Sequence, residues 1–268
     1  MSELDLHGLG LGTWQNTDPE QCAESVRTAL ELGYRSIDTA QAYENEEFVG
    51  RGVAEADVPR EEAFLATKVS TSNLAHDDVL ETAEESLDKL GTDYVDLLYV
   101  HWPTKTYDPE GTLSAFQRLY DEGKIRHVGV SNFEPEHLDE AREILDAPIF
   151  ANQVEMHPYL QQEELREYAA EHGHTVVAYS PLARTEVLDD PVLQDVAEKH
   201  DASVPQVTLS WLLSLEHVAV IPKATSADHI EDNWRAYDVD LDDEDLERIA
   251  ELDRGQREID PDNAPWDD

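Results

Sequence analysis

Short apolar runs alternate with amphipathic stretches along the whole chain. Continuous apolar runs of this length are typical of strands in a parallel sheet, because such strands are covered on both faces. We predict eight strands, at residues 9–13, 36–38, 63–68, 95–100, 125–130, 151–155, 176–179 and 218–221.

Between these strands, apolar residues recur at the spacing of a helix. Residues 77–90 show it most clearly, with Val79, Ala83 and Leu87 on one face. Gly91 follows at the place where a helix is expected to end. Residues 191–215 predict two helices, the second beginning at Val204-Pro205. The acidic start of residues 242–252 predicts a last helix, since carboxylates favour a helix N-terminus.

Eight strand–helix units in 268 residues favour a (β/α)₈ barrel. A doubly wound open sheet is the alternative, and periodicity does not separate the two. No Pro/Ser/Gly-rich linker divides the chain, so we predict one domain over residues 1–268. We expect its tail, residues 254–268, to be irregular and to lie on the surface. In such barrels, active sites lie at the carboxyl ends of the strands.

The net charge of the chain limits the kinds of partner that it is expected to bind. The chain has 61 acidic and 19 basic residues, a net charge of −42, and the acids are spread along its length. This distribution favours adaptation to a salt-rich cytoplasm over an acidic surface for a basic partner. Nucleic acid needs a basic footprint and is not expected as a partner. The sequence shows neither a signal peptide nor an apolar run of about 18 residues, which predicts a cytoplasmic protein without membrane spans.

The candidate chemistry lies at predicted strand ends, where Asp38, Tyr43, Lys68 and His101 occur. Each alone has an ordinary structural explanation, such as a helix cap or a surface ion pair. Together they predict a proton-donating site: Tyr43 protonates a carbonyl oxygen while a cofactor supplies hydride. A free phenol has a pKa of about 10, and we expect the Lys68 ammonium to lower it. Asp38 would hold Lys68 charged, and His101 would position the carbonyl.

Other chemistries have weaker support in the sequence. It contains no metal-binding, phosphate-loop or nucleophile-elbow motif, so we expect no metal. Gly8-Leu-Gly10-Leu-Gly12 lacks the spacing of a dinucleotide loop. The lone Cys22 lies in a helical pattern and is interpreted as a structural thiol. Two alternatives stay open: a glycoside hydrolase using Asp38 and Glu155, and a cofactor-binding sensor with negligible turnover.

Eight motifs run through nearly the whole chain: L-G-L-G-T-W (9–14), I-D-T-A-Q-A-Y-E-N-E (37–46), T-K-V (67–69), H-W-P (101–103), G-K-I-R-H-V-G-V-S-N-F (123–133), Q-V-E-M-H-P-Y (153–159), A-Y-S-P-L (178–182) and I-P-K-A-T (221–225). In this order they resemble the aldo-keto reductase family. The resemblance implies a (β/α)₈ barrel that reduces aldehydes or ketones, keto-sugars and keto-sugar acids included, with a nicotinamide cofactor. It also implies a monomer in which Asp38, Tyr43, Lys68 and His101 form the catalytic tetrad.

The same resemblance implies roles around the cofactor. Tyr179 would stack on the nicotinamide, Asn233 would reach the adenine, and Trp14 and Trp102 would wall the substrate pocket. The remaining residues that it places against the cofactor are Thr13, Ser131, Asn132, Gln153, Ser180, Leu182, Lys223, Thr225 and His229.

The chain also departs from the family pattern. Ala224 stands where a serine is usual and His229 where an arginine is usual, which should weaken binding of a 2′-phosphate. Lys223, Thr225 and His229 can still bind the 2′-phosphate. We therefore expect NADP(H) to be preferred and NAD(H) to be tolerated. Residues 69–71 lack the bulky aromatic of many relatives. With the short tail, this predicts an open pocket of loose selectivity.

Overall fold

The computed structural model describes residues 8–262 and 264–266. Eight parallel strands are hydrogen-bonded in chain order. They are β1 (Gly10–Gly12), β2 (Ser36–Asp38), β3 (Phe64–Val69), β4 (Val95–Val100), β5 (Ile125–Ser131), β6 (Ile149–Glu155), β7 (Thr175–Tyr179) and β8 (Val218–Val220). Parallel bridges from Leu9 to Val220 and from Gly12 to Lys223 join the last strand to the first. The predicted barrel is therefore confirmed, and the open-sheet alternative is wrong.

Helices connect the strands and surround the barrel. They are α1 (Pro19–Leu32), α2 (Glu46–Glu55), α3 (His76–Leu90), α4 (Pro109–Asp121), α5 (Pro135–Ile144), α6 (Glu163–His172), α7 (Pro191–Lys199), α8 (Val204–Ser214), α9 (Ala227–Trp234) and α10 (Asp243–Ala250). The two helices predicted within residues 191–215 are confirmed as α7 and α8. α10 is shorter than the predicted 242–252, because Asp242 is its N-cap and accepts a hydrogen bond from the Asp245 amide.

Several strand boundaries differ from the predicted ones by one or two residues. β1 covers only three of the residues 9–13, while β6 begins at Ile149, two residues before its predicted start. β5 extends to Ser131, one residue beyond its predicted end. Apolar runs locate a strand well, but its ends depend on ladder partners that the chain does not reveal. Within the described residues, no helix is both long and apolar enough to cross a membrane.

The glycines of β1 allow the barrel to close. A β-carbon added to Gly12 would lie 2.7 Å from the Ile221 carbonyl oxygen, closer than real contacts allow. The Gly12 amide in turn donates to the Pro222 carbonyl at 3.0 Å. Residues 10–12 of the G-L-G-L-G run therefore form a strand in which glycine allows the backbones to come close together. This agrees with the prediction that the run is not a dinucleotide-binding loop.

Two apolar layers leave one end of the barrel free for polar chemistry. The larger layer packs between strands and helices and includes Cys22, which is fully buried. Burial raises the pKa of the Cys22 thiol to about 12, in keeping with a structural thiol. A smaller cluster fills the barrel interior around Phe64, Leu97 and Tyr99. Polar residues occupy the carboxyl end above it.

Candidate active site

The carboxyl ends of the strands surround one cavity of about 670 Å³. Most of the residues singled out in the sequence line it: Thr13, Trp14, Asp38, Tyr43, His101, Trp102, Ser131, Asn132, Gln153, Tyr179, Ser180, Leu182 and Lys223. Lys68 lies directly behind this lining, on β3. The barrel thus brings together residues that are as much as 210 positions apart in the chain.

Lys68 is completely buried, and its ammonium group has three acceptors. It donates to the Asp38 carboxylate, to the Thr39 carbonyl at 2.8 Å and to the Tyr43 hydroxyl oxygen at 3.3 Å. An ammonium has three protons, so all of its donors are used. The other Asp38 oxygen accepts a bond from the Gln153 amide at 2.8 Å. The buried charges are therefore paired and held in place.

The bond from Lys68 determines where the Tyr43 proton can point. Because Lys68 donates to the phenol oxygen, the hydroxyl hydrogen of Tyr43 must be directed elsewhere. Tyr43 lines the cavity, so a proton acceptor bound there lies within its reach. The geometry makes Tyr43 a potential hydrogen-bond donor to whatever occupies the cavity.

Burial raises the pKa of Tyr43, and the Lys68 ammonium opposes this without overcoming it. The expectation that Lys68 lowers this pKa was right about the direction of its contribution and wrong about the net shift. For Lys68, burial lowers the pKa, but Asp38 and Tyr43 outweigh burial, and its pKa is raised. At neutral pH the pair is therefore a protonated phenol beside a charged ammonium.

His101 lies against Tyr43, with ring centroids 5.8 Å apart and ring planes at 77°. Burial lowers the pKa of His101 to about 3, and the nearby Lys68 charge contributes in the same direction. The imidazole is therefore neutral, with one N–H donor and one acceptor nitrogen. A neutral imidazole can donate a hydrogen bond to a substrate oxygen without adding a second positive charge beside Lys68.

A hydrogen-bonded chain fixes the opposite wall of the cavity. Tyr179 donates to the Asn132 side-chain oxygen at 2.9 Å, and the Asn132 amide donates to Ser131 Oγ at 3.0 Å. Ser131 donates in turn to the Gln153 carbonyl at 2.7 Å. The Tyr179 ring is thereby held as a flat wall beside amide and hydroxyl groups. This donor set fits a planar carboxamide-bearing ring such as nicotinamide.

The cavity is positively charged inside an acidic protein. Among its described lining residues, Asp38 is the only acid, and Lys68 neutralises it. Lys223 lines one end, and Arg184 places its guanidinium 5.1 Å from the centre of the Trp14 ring. Arg184 was not among the residues predicted from the sequence, although it follows the S-P-L motif and is one of only 19 basic residues. Anionic groups such as cofactor phosphates would be attracted here.

Three predicted cofactor residues do not line the cavity: Thr225, His229 and Asn233. They follow Lys223 along the chain, the last two on α9. Ser226 caps this helix by accepting a hydrogen bond from the His229 amide at 3.3 Å. His229 is exposed and Asn233 is buried. A contact with these residues therefore requires a ligand long enough to extend beyond Lys223.

The described part of the tail is irregular and mostly exposed or half-buried, as expected, but it also contributes to the cavity. Ile259 lines the cavity, and the Trp266 ring centroid lies 5.6 Å from that of Trp102. Arg257 stacks over Trp266 at 3.7 Å. The tail thus forms part of one pocket wall. Asn263, Asp267 and Asp268 lie outside the described residues.

The site lies at the carboxyl end of an eight-stranded barrel and combines a buried Asp–Lys–Tyr network with a neutral histidine. This arrangement is suited to a carbonyl-reducing oxidoreductase. Residues 8–254 match the Aldo/keto reductase family model, and the chain belongs to this family. It is therefore an enzyme of a family that reduces carbonyl compounds with NADP(H).

Curated relatives and solved structures agree with this assignment. The chain is 41% identical over 255 residues to the glyoxal reductase of Bacillus subtilis (strain 168), covering 95% of this chain and 91% of the relative. A crystal structure of a putative 2,5-diketo-D-gluconic acid reductase B superposes with a TM-score of 0.93 at 36% identity, covering 97% and 94% of the two chains. A variant of Gox0644 in complex with NADPH superposes with a TM-score of 0.88 at 35% identity, covering 96% and 94%.

Proposed function

We propose that this enzyme reduces aldehydes and ketones to alcohols, with Tyr43 as the proton donor. The observation that carries the proposal is the bond from Lys68 to the Tyr43 oxygen, which leaves the phenol proton facing the cavity. A nicotinamide cofactor held in the cavity would supply the hydride for the carbonyl carbon. Tyr43 gives its proton to the carbonyl oxygen, and Lys68 stabilises the phenolate that forms.

Asp38 and His101 support this transfer in different ways. Asp38 keeps Lys68 charged and fixes its direction, because it accepts from both Lys68 and Gln153. His101 donates to the carbonyl oxygen and orients it toward Tyr43. The neutral form suits this role, since an imidazolium beside Lys68 would be opposed by like-charge repulsion.

For the cofactor, the proposed contacts follow the cavity from Tyr179 to Lys223. The Tyr179 ring would face the nicotinamide, while Ser131, Asn132 and Gln153 would contact its carboxamide. Thr13, Ser180, Leu182 and Arg184 would lie along the central part, and Lys223, Thr225, His229 and Asn233 would hold the adenosine end. Lys223 favours NADPH, whereas Ala224 and His229 offer less to a 2′-phosphate than a serine and an arginine would.

The names of the relatives suggest substrates for this chain. One relative is named for the reduction of glyoxal, and one solved structure is named as a putative reductase of 2,5-diketo-D-gluconic acid. We extend this to small dicarbonyls and keto-sugar acids here, with Trp14 and Trp102 as walls of the substrate pocket. The single domain over residues 1–268, the monomeric state and the cytoplasmic location stay predictions. Adaptation of the acidic surface to salt is likewise a proposal.

The test is oxidation of NADPH and NADH with a panel of aldehydes, dicarbonyls and keto-sugars, in dilute buffer and at about 1 M KCl, where charge repulsion is screened. Carbonyl-dependent oxidation that rises with salt supports both the reductase activity and the adaptation of the acidic surface to salt.

The role of Tyr43 is tested by Tyr43→Phe, which should lower turnover by about 10²–10⁴-fold or more, with NADPH affinity retained. Tyr168→Phe, which removes a hydroxyl bonded to Asp139 on the outer helices, is the control. Undiminished turnover in Tyr43→Phe would refute the role of Tyr43.

A further inference from the structure

Glu155, at the end of β6, is a buried carboxylate for which the proposed chemistry has no use. Its side chain is completely buried and does not line the cavity. One oxygen accepts from the Glu258 amide at 2.7 Å and lies 3.0 Å from His157 Nε2. The other oxygen accepts from the Ile259 amide at 3.0 Å. Both oxygens of Glu155 are therefore directed toward the tail and His157.

Through these bonds, a barrel strand holds two successive backbone amides that lie more than 100 positions later in the chain. The second of them belongs to Ile259, whose side chain lines the cavity. The position of this part of the pocket wall is thus set by the position of the Glu155 carboxylate. Each oxygen of this one carboxyl group accepts one of the two amides, so a single side chain fixes both.

The neighbouring turn holds the preceding part of the tail. The Tyr159 carbonyl accepts from the amides of Arg254 at 3.2 Å and Gln256 at 3.0 Å, and the Arg254 guanidinium stacks on the Tyr159 ring at 3.7 Å. Beyond Gln256, the contact between Arg257 and Glu134 is a long one of 3.8 Å. Among the described contacts, Glu155 is therefore the buried anchor nearest to Ile259.

We propose that Glu155 is a positioning residue for substrate binding, which acts by holding the backbone of Glu258 and Ile259 against the barrel. The inference rests on the proposed function, because it assigns the Ile259 wall to the carbonyl substrate. Glu155 touches neither Tyr43 nor Lys68 in the described contacts, so the proton transfer itself does not depend on it. Its loss is expected to change substrate affinity and selectivity rather than the chemical step.

The test is Glu155→Gln, which keeps the size of the side chain but replaces one acceptor oxygen with an amide donor. At least one tail amide then faces a donor instead of an acceptor. We expect the KM for carbonyl substrates to rise about tenfold, which corresponds to losing one such bond, while kcat changes less than about twofold. NADPH affinity should be unchanged. Hydrogen exchange should become faster at whichever of the Glu258 and Ile259 amides loses its acceptor.

Three further variants distinguish loss of the Glu155 bonds to the tail from a general loss of stability. Glu134→Gln removes a half-buried carboxylate whose one contact with the described part of the tail is with Arg257, and it should leave both readouts unchanged. Ile259→Ala should raise KM without faster exchange at Glu258, since the backbone bonds stay. Glu258→Pro removes an N–H donor in the tail rather than the acceptor on β6, and it changes no residue of the barrel strands. It should reproduce the higher KM and faster exchange at Ile259 even where Glu155→Gln fails to fold.

The outcomes distinguish this inference from the proposed function. Unchanged exchange at both the Glu258 and the Ile259 amide in Glu155→Gln, together with unchanged exchange at Ile259 in Glu258→Pro, overturns the anchor, whatever the activity. Faster exchange with unchanged KM overturns its part in substrate binding. A loss of kcat equal to the loss of kcat/KM would also overturn it, because that pattern indicates damage to the chemical step. Absence of carbonyl-dependent oxidation in the unaltered enzyme refutes the proposed function, and the exchange measurement then decides the anchor alone.

Discussion

Replacing Lys68 with methionine tests whether the buried ammonium is both a structural and a chemical partner. Lys68 is completely buried and Asp38 nearly so, at 3% exposure. Lys68→Met fills a similar volume but leaves the Asp38 carboxylate with the Gln153 amide as its remaining side-chain donor among the described contacts. A buried carboxylate without its counter-charge is strongly unfavourable, so this variant should be less stable and inactive.

The magnitude follows from the burial of the pair. Breaking a buried ion pair by removing one partner costs about 3–5 kcal/mol. For a chain of this size, about 2–4 °C of Tm is lost per kcal/mol, which gives a fall of about 6–20 °C. Turnover should fall at least about 100-fold, because the phenolate of Tyr43 loses the charge that stabilises it.

The decisive comparison is with the double variant Asp38→Asn/Lys68→Met, measured at molar KCl by thermal unfolding and by NADPH oxidation. Neutralising Asp38 removes the unpaired charge, and replacing a buried ion pair with neutral groups of similar volume is often without cost. Most of the lost Tm should therefore return, while turnover stays low. A double variant as unstable as Lys68→Met would refute the electrostatic explanation. Recovered turnover would refute the role of Lys68 in catalysis.

Two further predictions concern His229 and His101. His229→Arg should raise the NADPH/NADH ratio of kcat/KM, because a guanidinium fork binds a 2′-phosphate better than an imidazole; an unchanged ratio would show that residue 229 does not contact the phosphate. Burial lowers the pKa of His101 to about 3, so between about pH 3 and 6.5 this residue is protonated in the unfolded chain but not in the folded one. This group therefore makes the protein less stable as pH falls through that window, and His101→Gln should flatten the pH dependence of Tm relative to the unaltered enzyme, which a parallel curve would contradict.

The fold and much of the site could be predicted because their signals are local. Most of the longer strands contain a short apolar run, and Asp38, Lys68 and His101 stand at or next to the carboxyl ends of strands, with Tyr43 in the turn after β2. The barrel then brings them to one end as a matter of topology. Helix α3 was predicted to within one residue, since its apolar face and Gly91 mark its length and its end.

The parts that escaped prediction depend on contacts between distant segments. Arg184 lies at a left-handed position, φ 48°, in the loop after β7, where residue type gives no sign of direction. The bonds from Glu155 to the tail amides join segments more than 100 residues apart. The raised pKa of Tyr43 depends on burial, which exceeds the effect of the neighbouring ammonium that the sequence did suggest.

The structure also decides between the chemistries that the sequence left open. A glycoside hydrolase needs two carboxyl groups facing one sugar, about 5–9.5 Å apart across the scissile bond. Here Asp38 is bound to Lys68 and Gln153, whereas Glu155 faces the tail amides and His157. Neither carboxylate is free to act as acid or nucleophile, so the glycosidase alternative is wrong.

The alternative of a cofactor-binding sensor without turnover needs a separate argument, because such a sensor would have the same cavity and the same cationic residues as the enzyme. Such a protein needs Tyr179, Asn132 and Lys223, but not a buried ion pair beside a phenol. Burying Asp38 and Lys68 costs desolvation that apolar residues would avoid. The pair directs a charge at the Tyr43 oxygen, where phenolate forms only if a proton is transferred. The buried ion pair is therefore useful to an enzyme that transfers a proton to its substrate, and it has no use in a protein that only binds the cofactor.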